Sequence, residues 1–217
     1  MLYLKEEVKE KILSSALMAF KEYGFIGASM RLIAKNAGVS LGNVYRYFKS
    51  KEDLFNTIIE PVYRSYIGFI DEIANIIDNE ENRNTASQDY YTGMAEINEV
   101  KDKVLEICEE HFSELVIFMD KSSGTKYENA KFVLNELLNK ILTKKFICLK
   151  DNEAELSDED KIKNDIMYII SASFIESICI ILRKCDGGPC TRVLIDRCIC
   201  LFFKDLEARL ADYPTLI

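Results

Sequence analysis

The chain is poor in histidine, proline and glycine: one His, three Pro and nine Gly among 217 residues. Its sequence shows no nucleophile–histidine arrangement around the lone His111, no glycine-rich phosphate loop and no metal-ligand cluster. The chain is therefore not read as an enzyme, and no cofactor or metal is expected. Scarce Gly and Pro also remove the punctuation that strands and tight turns require. Hydrophobic residues at 48% and charged residues at 29%, rich in Leu, Ile, Glu, Lys and Ala, suit an all-α protein instead. No clean apolar run reaches the roughly 20 residues of a membrane span. The longest, Ile166 to Leu182, holds Glu176 and three serines and reads as a buried helix, so no membrane partner is expected. No basic, apolar, small-residue leader precedes the first helix. The seven cysteines, at 108, 148, 179, 185, 190, 198 and 200, are odd in number and lack a secreted-domain spacing, which points to a reduced cytoplasmic setting.

Charge is present in quantity but unevenly spread. The net value of −8 argues against a polyanionic partner until it is resolved along the chain. Met1 to Lys51 carries seven Lys and two Arg against four Glu, a net of +5, which leaves −13 for the other 166 residues. A basic head on an acidic body fits a head that meets phosphates.

Within that head the helical punctuation is clear. Val8, Ile12, Ala16 and Phe20 recur every four residues in a first helix that Gly24 ends. Ser29 caps a short second helix with Met30, Ile33, Ala34 and Ala37 as its apolar stripe, and Gly38 stops it. Ser40 caps a third helix, Leu41 to Phe48, with Val44 and Phe48 facing inward. A fourth helix starts after Ser50 with Glu52 and Asp53 in its first turn, and Pro61 predicts a bend between head and body.

Two short helices joined by Ala37-Gly38-Val39-Ser40 behind a longer support have the proportions of a helix-turn-helix, whose second helix enters the DNA major groove. With Val44 and Phe48 inward, steps of about 100° place Gly42 and Arg46 outward, flanked by Asn43 and Tyr45. Gly42 lets backbone approach DNA, Asn43 can pair with adenine, and Arg46 can pair with guanine or neutralise a phosphate. The alternative for Arg46 is a solvated charge, and for Tyr45 an aromatic packed between helices. Tyr45 and Tyr47 offer hydroxyls to phosphates, and Lys51 joins a cation to free helix amides.

Phe20, Gly24-Phe25, Ala28-Ser29-Met30, Ile33-Ala34, Ala37-Gly38-Val39-Ser40, Gly42, Val44-Tyr45, Tyr47-Phe48 and Ser50-Lys51-Glu52-Asp53-Leu54 together resemble the TetR family of bacterial repressors, over the first quarter of the chain. The resemblance implies DNA contacts from Arg31, Leu41, Gly42, Asn43, Tyr45, Tyr47 and Lys51. Leu41 lies within about 40° of the inward face, so it suits packing as well as a thymine methyl. The implied architecture is a three-helix DNA-binding domain, residues 1–51, and a helical effector-binding and dimerisation domain, residues 52–217.

The body reads as helices from about Ile97 to Met119, Tyr127 to Ile147, Asp158 to Arg183 and Thr191 to Leu210. The last two are too apolar to face water alone. Ile169, Ser173, Ile180, Cys198, Phe202 and Leu206 are candidate homodimer contacts in a four-helix arrangement, with an internal core as the alternative. His111, Phe118, Tyr127 and Phe174 are candidate effector contacts, with ordinary core packing as the competing reading. Cys185 and Cys190 bracket a turn best read as a reduced loop. The functional expectation is a repressor that leaves a near-palindromic double-stranded operator when a small molecule binds. The alternative is a DNA-binding protein governed by a protein partner.

Overall fold

The computed structural model describes residues 2–81, 101–146 and 158–211, and every regular element among them is a helix. They are α1 (Leu2–Gly27), α2 (Met30–Asn36), α3 (Leu41–Tyr47), α4 (Lys51–Glu81), α5 (residues 101–110), α6 (Phe112–Asp120), α7 (Ala130–Phe146), α8 (Asp158–Lys184), α9 (Pro189–Phe203) and α10 (Leu206–Ala211). They form two compact units: Met1–Gly68 with Glu106–Ala130, and Phe69–Leu105 with Lys131–Ile217.

In the first unit α1 buries Ile12, Ala16 and Phe20 of the expected stripe with Ala19 beside them, while Val8 is half-buried. Gly24 breaks the helix with φ 69 and ψ 175, and one further turn follows. This is the extended positive-φ region open essentially to glycine alone, stricter than the left-handed cap expected there. The Phe25 N–H, just past the kink, donates to the Lys121 carbonyl at 2.9 Å, where α6 ends.

α4 runs through Pro61 as one helix, which neither ends nor restarts there. Its buried face carries Leu54, Phe55, Ile58, Ile59, Val62 and Tyr66, whose burial outweighs one missing backbone hydrogen bond. The helix foreseen from Ile97 to Met119 is also divided, its residues 97–100 lying outside those described. At His111 (φ −132, ψ 33) α5 gives way to α6. Beyond it α6 buries Phe112, Leu115, Val116, Ile117 and Phe118, more than one face of a helix, so α6 is covered on several sides.

An aromatic cluster fills this unit. Phe55 meets Phe20 and Phe25 edge-on at 4.9 and 5.0 Å, and Tyr127 meets Tyr63 and Phe118 at 5.0 and 5.9 Å. The Tyr66 hydroxyl donates to the Ala130 carbonyl at 2.8 Å. Burial, helped by Tyr63, pushes the Tyr66 phenol up to about 12. A raised phenol pKa stabilises the fold fully below the unfolded value of about 10, and the contribution is lost as pH rises through about 12. Urea midpoints should therefore fall more steeply from pH 10 to 12 in the wild type than in Tyr66→Phe; parallel curves would remove this role.

In the second unit α8 buries Met167, Ser171, Ile175, Cys179 and Leu182 along one side and packs against α9 through Ile195 and Ile199. A polar seam joins α7 to α8. Lys131 pairs with Glu176, the Ser171 hydroxyl donates to Asn135 Oδ1 at 2.9 Å, and the Thr143 hydroxyl to Asn164 Oδ1 at 3.0 Å. By length and composition α8 is apolar enough to cross a membrane, and 28% of its apolar window is buried within the chain, less than the buried helix expected from sequence. The helix expected from Thr191 to Leu210 also divides. Asp205 takes φ 54, a conformation that Asp tolerates, and turns Leu206 into a core with Leu142 and Met167.

Candidate nucleic-acid interface

The two short helices are set by their caps. Ser29 Oγ accepts the Leu32 N–H at 3.2 Å, and Ser40 Oγ accepts the Asn43 N–H at 3.1 Å. Between them Gly38 takes φ 67, its N–H donating to the Lys35 carbonyl at 3.2 Å while Val39 N–H reaches the Ala34 carbonyl at 3.0 Å. This paired closure needs positive φ at the fifth of its six residues, which explains the glycine. Ser50 and Asp53 do similar work for α4: Ser50 Oγ accepts the Asp53 N–H, and Asp53 Oδ2 accepts the Lys49 N–H at 2.8 Å.

α3 presents the face expected of it. Val44 and Phe48 are buried, while Gly42, Tyr45 and Arg46 are exposed. Half of the Tyr45 surface is open, so it does not serve as a packed interhelical aromatic. Leu41, Asn43 and Tyr47 are half-buried at the margins of that face, and Arg31 stands exposed on α2. Lys35 and Lys49 are also exposed; both were counted in the basic excess, but neither was singled out from the sequence.

Gly42 is not required by the fold. Its φ is ordinary, and a Cβ there would meet nothing within 4 Å. Glycine inside a helix costs about 0.5–1 kcal/mol relative to alanine, and no contact within the chain calls for the one at Gly42.

Lys51 departs from expectation. Its ammonium donates to the carbonyls of Phe25, Ile26 and Ala28 at 2.7, 3.4 and 3.0 Å and lies 4.5 Å from the Phe25 ring centre. A phosphate would have to displace contacts already made to backbone oxygens.

The candidate effector residues are divided between the two units. Phe118 and Tyr127 are buried in the aromatic cluster and fill space rather than line it. His111 sits at the α5–α6 break, its Nε2 3.9 Å from Glu110. Phe174 belongs to the second unit, packed on Phe202 and Phe203 at 5.5 and 4.8 Å. The candidate dimer residues divide as well. Ile169, Ser173 and Ile180 are exposed, Cys198 and Phe202 are half-buried, and Leu206 is buried in its own core and cannot serve as a contact. Sequence reasoning missed Val193 and Leu201, exposed on α9, because its apolar periodicity was assigned to the inward stripe alone. Cys185 and Cys190 are free thiols, and among the described residues no three His, Cys, Asp or Glu side chains are grouped to hold a metal. Burial, reinforced by the Glu109 carboxylate, pushes the Cys108 thiol up to about 12 and leaves it unreactive.

The family pattern described as bacterial regulatory proteins, tetR family, matches residues 12–58, the stretch from α1 into α4. The chain is 36% identical to the probable HTH-type transcriptional regulator YttP of Bacillus subtilis (strain 168) over 74 residues, 34% of this chain and 36% of that protein. It is 43% identical to the HTH-type transcriptional regulator RutR of Escherichia coli (strain K12) over 54 residues, 25% of this chain and 26% of that one. The matched stretch thus spans about a third or less of either relative's length. Among solved structures, NalD, the secondary repressor of the MexAB-OprM multidrug efflux pump in Pseudomonas aeruginosa, superposes with a TM-score of 0.44 at 18% identity, covering 89% of this chain and 94% of that one. The capped helices, the Gly38 turn and the pattern match agree over residues 12–58, and that stretch is similar to the DNA-binding segment of the tetR family of bacterial regulatory proteins.

Proposed function

We propose that this chain is a cytoplasmic, homodimeric transcriptional regulator, not an enzyme, which binds a near-palindromic operator and is a repressor released by a small molecule. The observation that carries the DNA-binding part is the outward face of α3, where Gly42 gives up helix stability for no benefit within the protein. Arg31, Gly42, Asn43, Tyr45, Arg46 and Tyr47 form the contact surface, with Asn43 and Arg46 reading base edges and Lys35 and Lys49 available to phosphates.

Gly42→Ala tests this directly. It should hold or raise thermal stability, by about 0.5–1 kcal/mol, while weakening binding to a duplex that the wild-type chain selects from a random pool. Wild-type affinity in this variant would sink the assignment of α3 as the groove helix.

Dimerisation is supported by the open apolar stripe of Ile169, Ser173 and Ile180 on α8 with Val193 and Leu201 on α9. Glu176, within that stripe, is paired with Lys131 and Arg183, and those bonds hold its carboxyl below the usual range. A carboxylate neutralised by its own chain costs less to cover than a bare one. Release by an effector is drawn from the resemblance of residues 12–58 to the tetR family. A compound that raises the melting temperature and also frees the selected duplex would identify the effector; release only by a partner protein would overturn the small-molecule reading.

A further inference from the structure

α1 has no basic residue in its last turn, so its final carbonyls lack a local cation. Lys51, some 23 to 26 positions further along, supplies one: its Nζ reaches the Phe25, Ile26 and Ala28 oxygens. An ammonium has three N–H donors, and three acceptors converge on this one. The same corner is held from its other side, because the Phe25 N–H donates to the Lys121 carbonyl and the Gly24 backbone lies against Lys121. Lys51 thus ties the amino end of α4 to a fixed point immediately before Ser29, the residue that caps α2.

We propose that Lys51 is a positioning residue for DNA binding and not a phosphate ligand: it locks the α1–α2 corner to α4 and so sets the placement of α2 and α3. This rests on the DNA-binding reading above. A phosphate ligand would contribute one released counterion, about 0.9 to the slope of log affinity against log salt. A clamp contributes nothing to that slope, yet its loss lets the helices shift.

The decisive measurement is the affinity of Lys51→Met and Lys51→Arg for the duplex selected by the wild-type chain, across a salt series and at temperatures where circular dichroism shows each variant folded. The planar Arg fork can serve a phosphate but cannot aim three donors at convergent carbonyls. Both variants should bind at least about tenfold more weakly with the wild-type salt slope. A slope shallower by about 0.9 in Lys51→Met, wild-type affinity in Lys51→Arg, or full affinity in both would overturn the proposal. If Lys51→Met does not fold, the Arg variant decides alone. Failure of the wild-type chain to select any duplex would instead overturn the DNA-binding reading, and this inference with it.

Discussion

Replacing Phe55 with Ala should destabilise the first unit by about 3–5 kcal/mol. Phe55 is fully buried and lies 4.9 Å from Phe20, 5.0 Å from Phe25 and 6.2 Å from Tyr127 between ring centres, so one ring joins α1, the corner after Gly24, α4 and the segment before α7. Its loss removes apolar burial and several edge-on aromatic contacts, each of the latter adding about 0.5–1.5 kcal/mol. Set against a total stability of roughly 5–15 kcal/mol, that loss leaves little margin, and DNA binding should fall with it as the support for α2 and α3 loosens. Urea denaturation followed by circular dichroism measures the cost. Phe132→Ala is the control: Phe132 is 60% exposed, and its removal should change stability by no more than about 0.5 kcal/mol. Equal costs for the two would mean that Phe55 does not hold this core.

The second large effect concerns assembly rather than folding. Ile169 is 61% exposed and Leu201 72% exposed, so the pair Ile169→Glu with Leu201→Glu should leave the protomer's own stability nearly unchanged. In a dimer that covers α8 and α9, however, both copies would bury uncompensated carboxylates where each protomer had offered apolar surface. The expected result is a monomer by light scattering and an operator affinity lower by on the order of 10²-fold or more, because binding through two linked heads gains that much over one. A variant that remains dimeric would place the interface elsewhere. A monomeric variant with unchanged affinity would mean that a single head suffices.

The head was legible because its instructions are local. Ser29, Gly38 and Ser40 act on amides and carbonyls within five residues of themselves, and Val44 and Phe48 fix which side of α3 faces inward. Such cues need no knowledge of distant partners. The body was harder to read because its helices are apolar on more than one side. On α9 Ile195 and Ile199 face inward while Val193 and Leu201 face out, and hydrophobicity alone does not say which stripe is core. The His111 break and the Asp205 turn escaped for a related reason: neither carries glycine or proline, and both are imposed by the packing of Phe112 to Phe118 and of Leu206.

The helical class, the basic head, the two caps around the Gly38 turn and the outward position of Gly42 and Arg46 all follow from short-range periodicity or backbone chemistry. The role of Lys51 follows from packing instead, because its acceptors lie some 25 residues away at a corner that exists once Gly24 has turned the chain. Packing likewise assigned Phe118, Tyr127 and Leu206 to cores and left Ile169 and Leu201 open, since burial depends on which helices meet, and that is a property of the packed chain rather than of any segment in it.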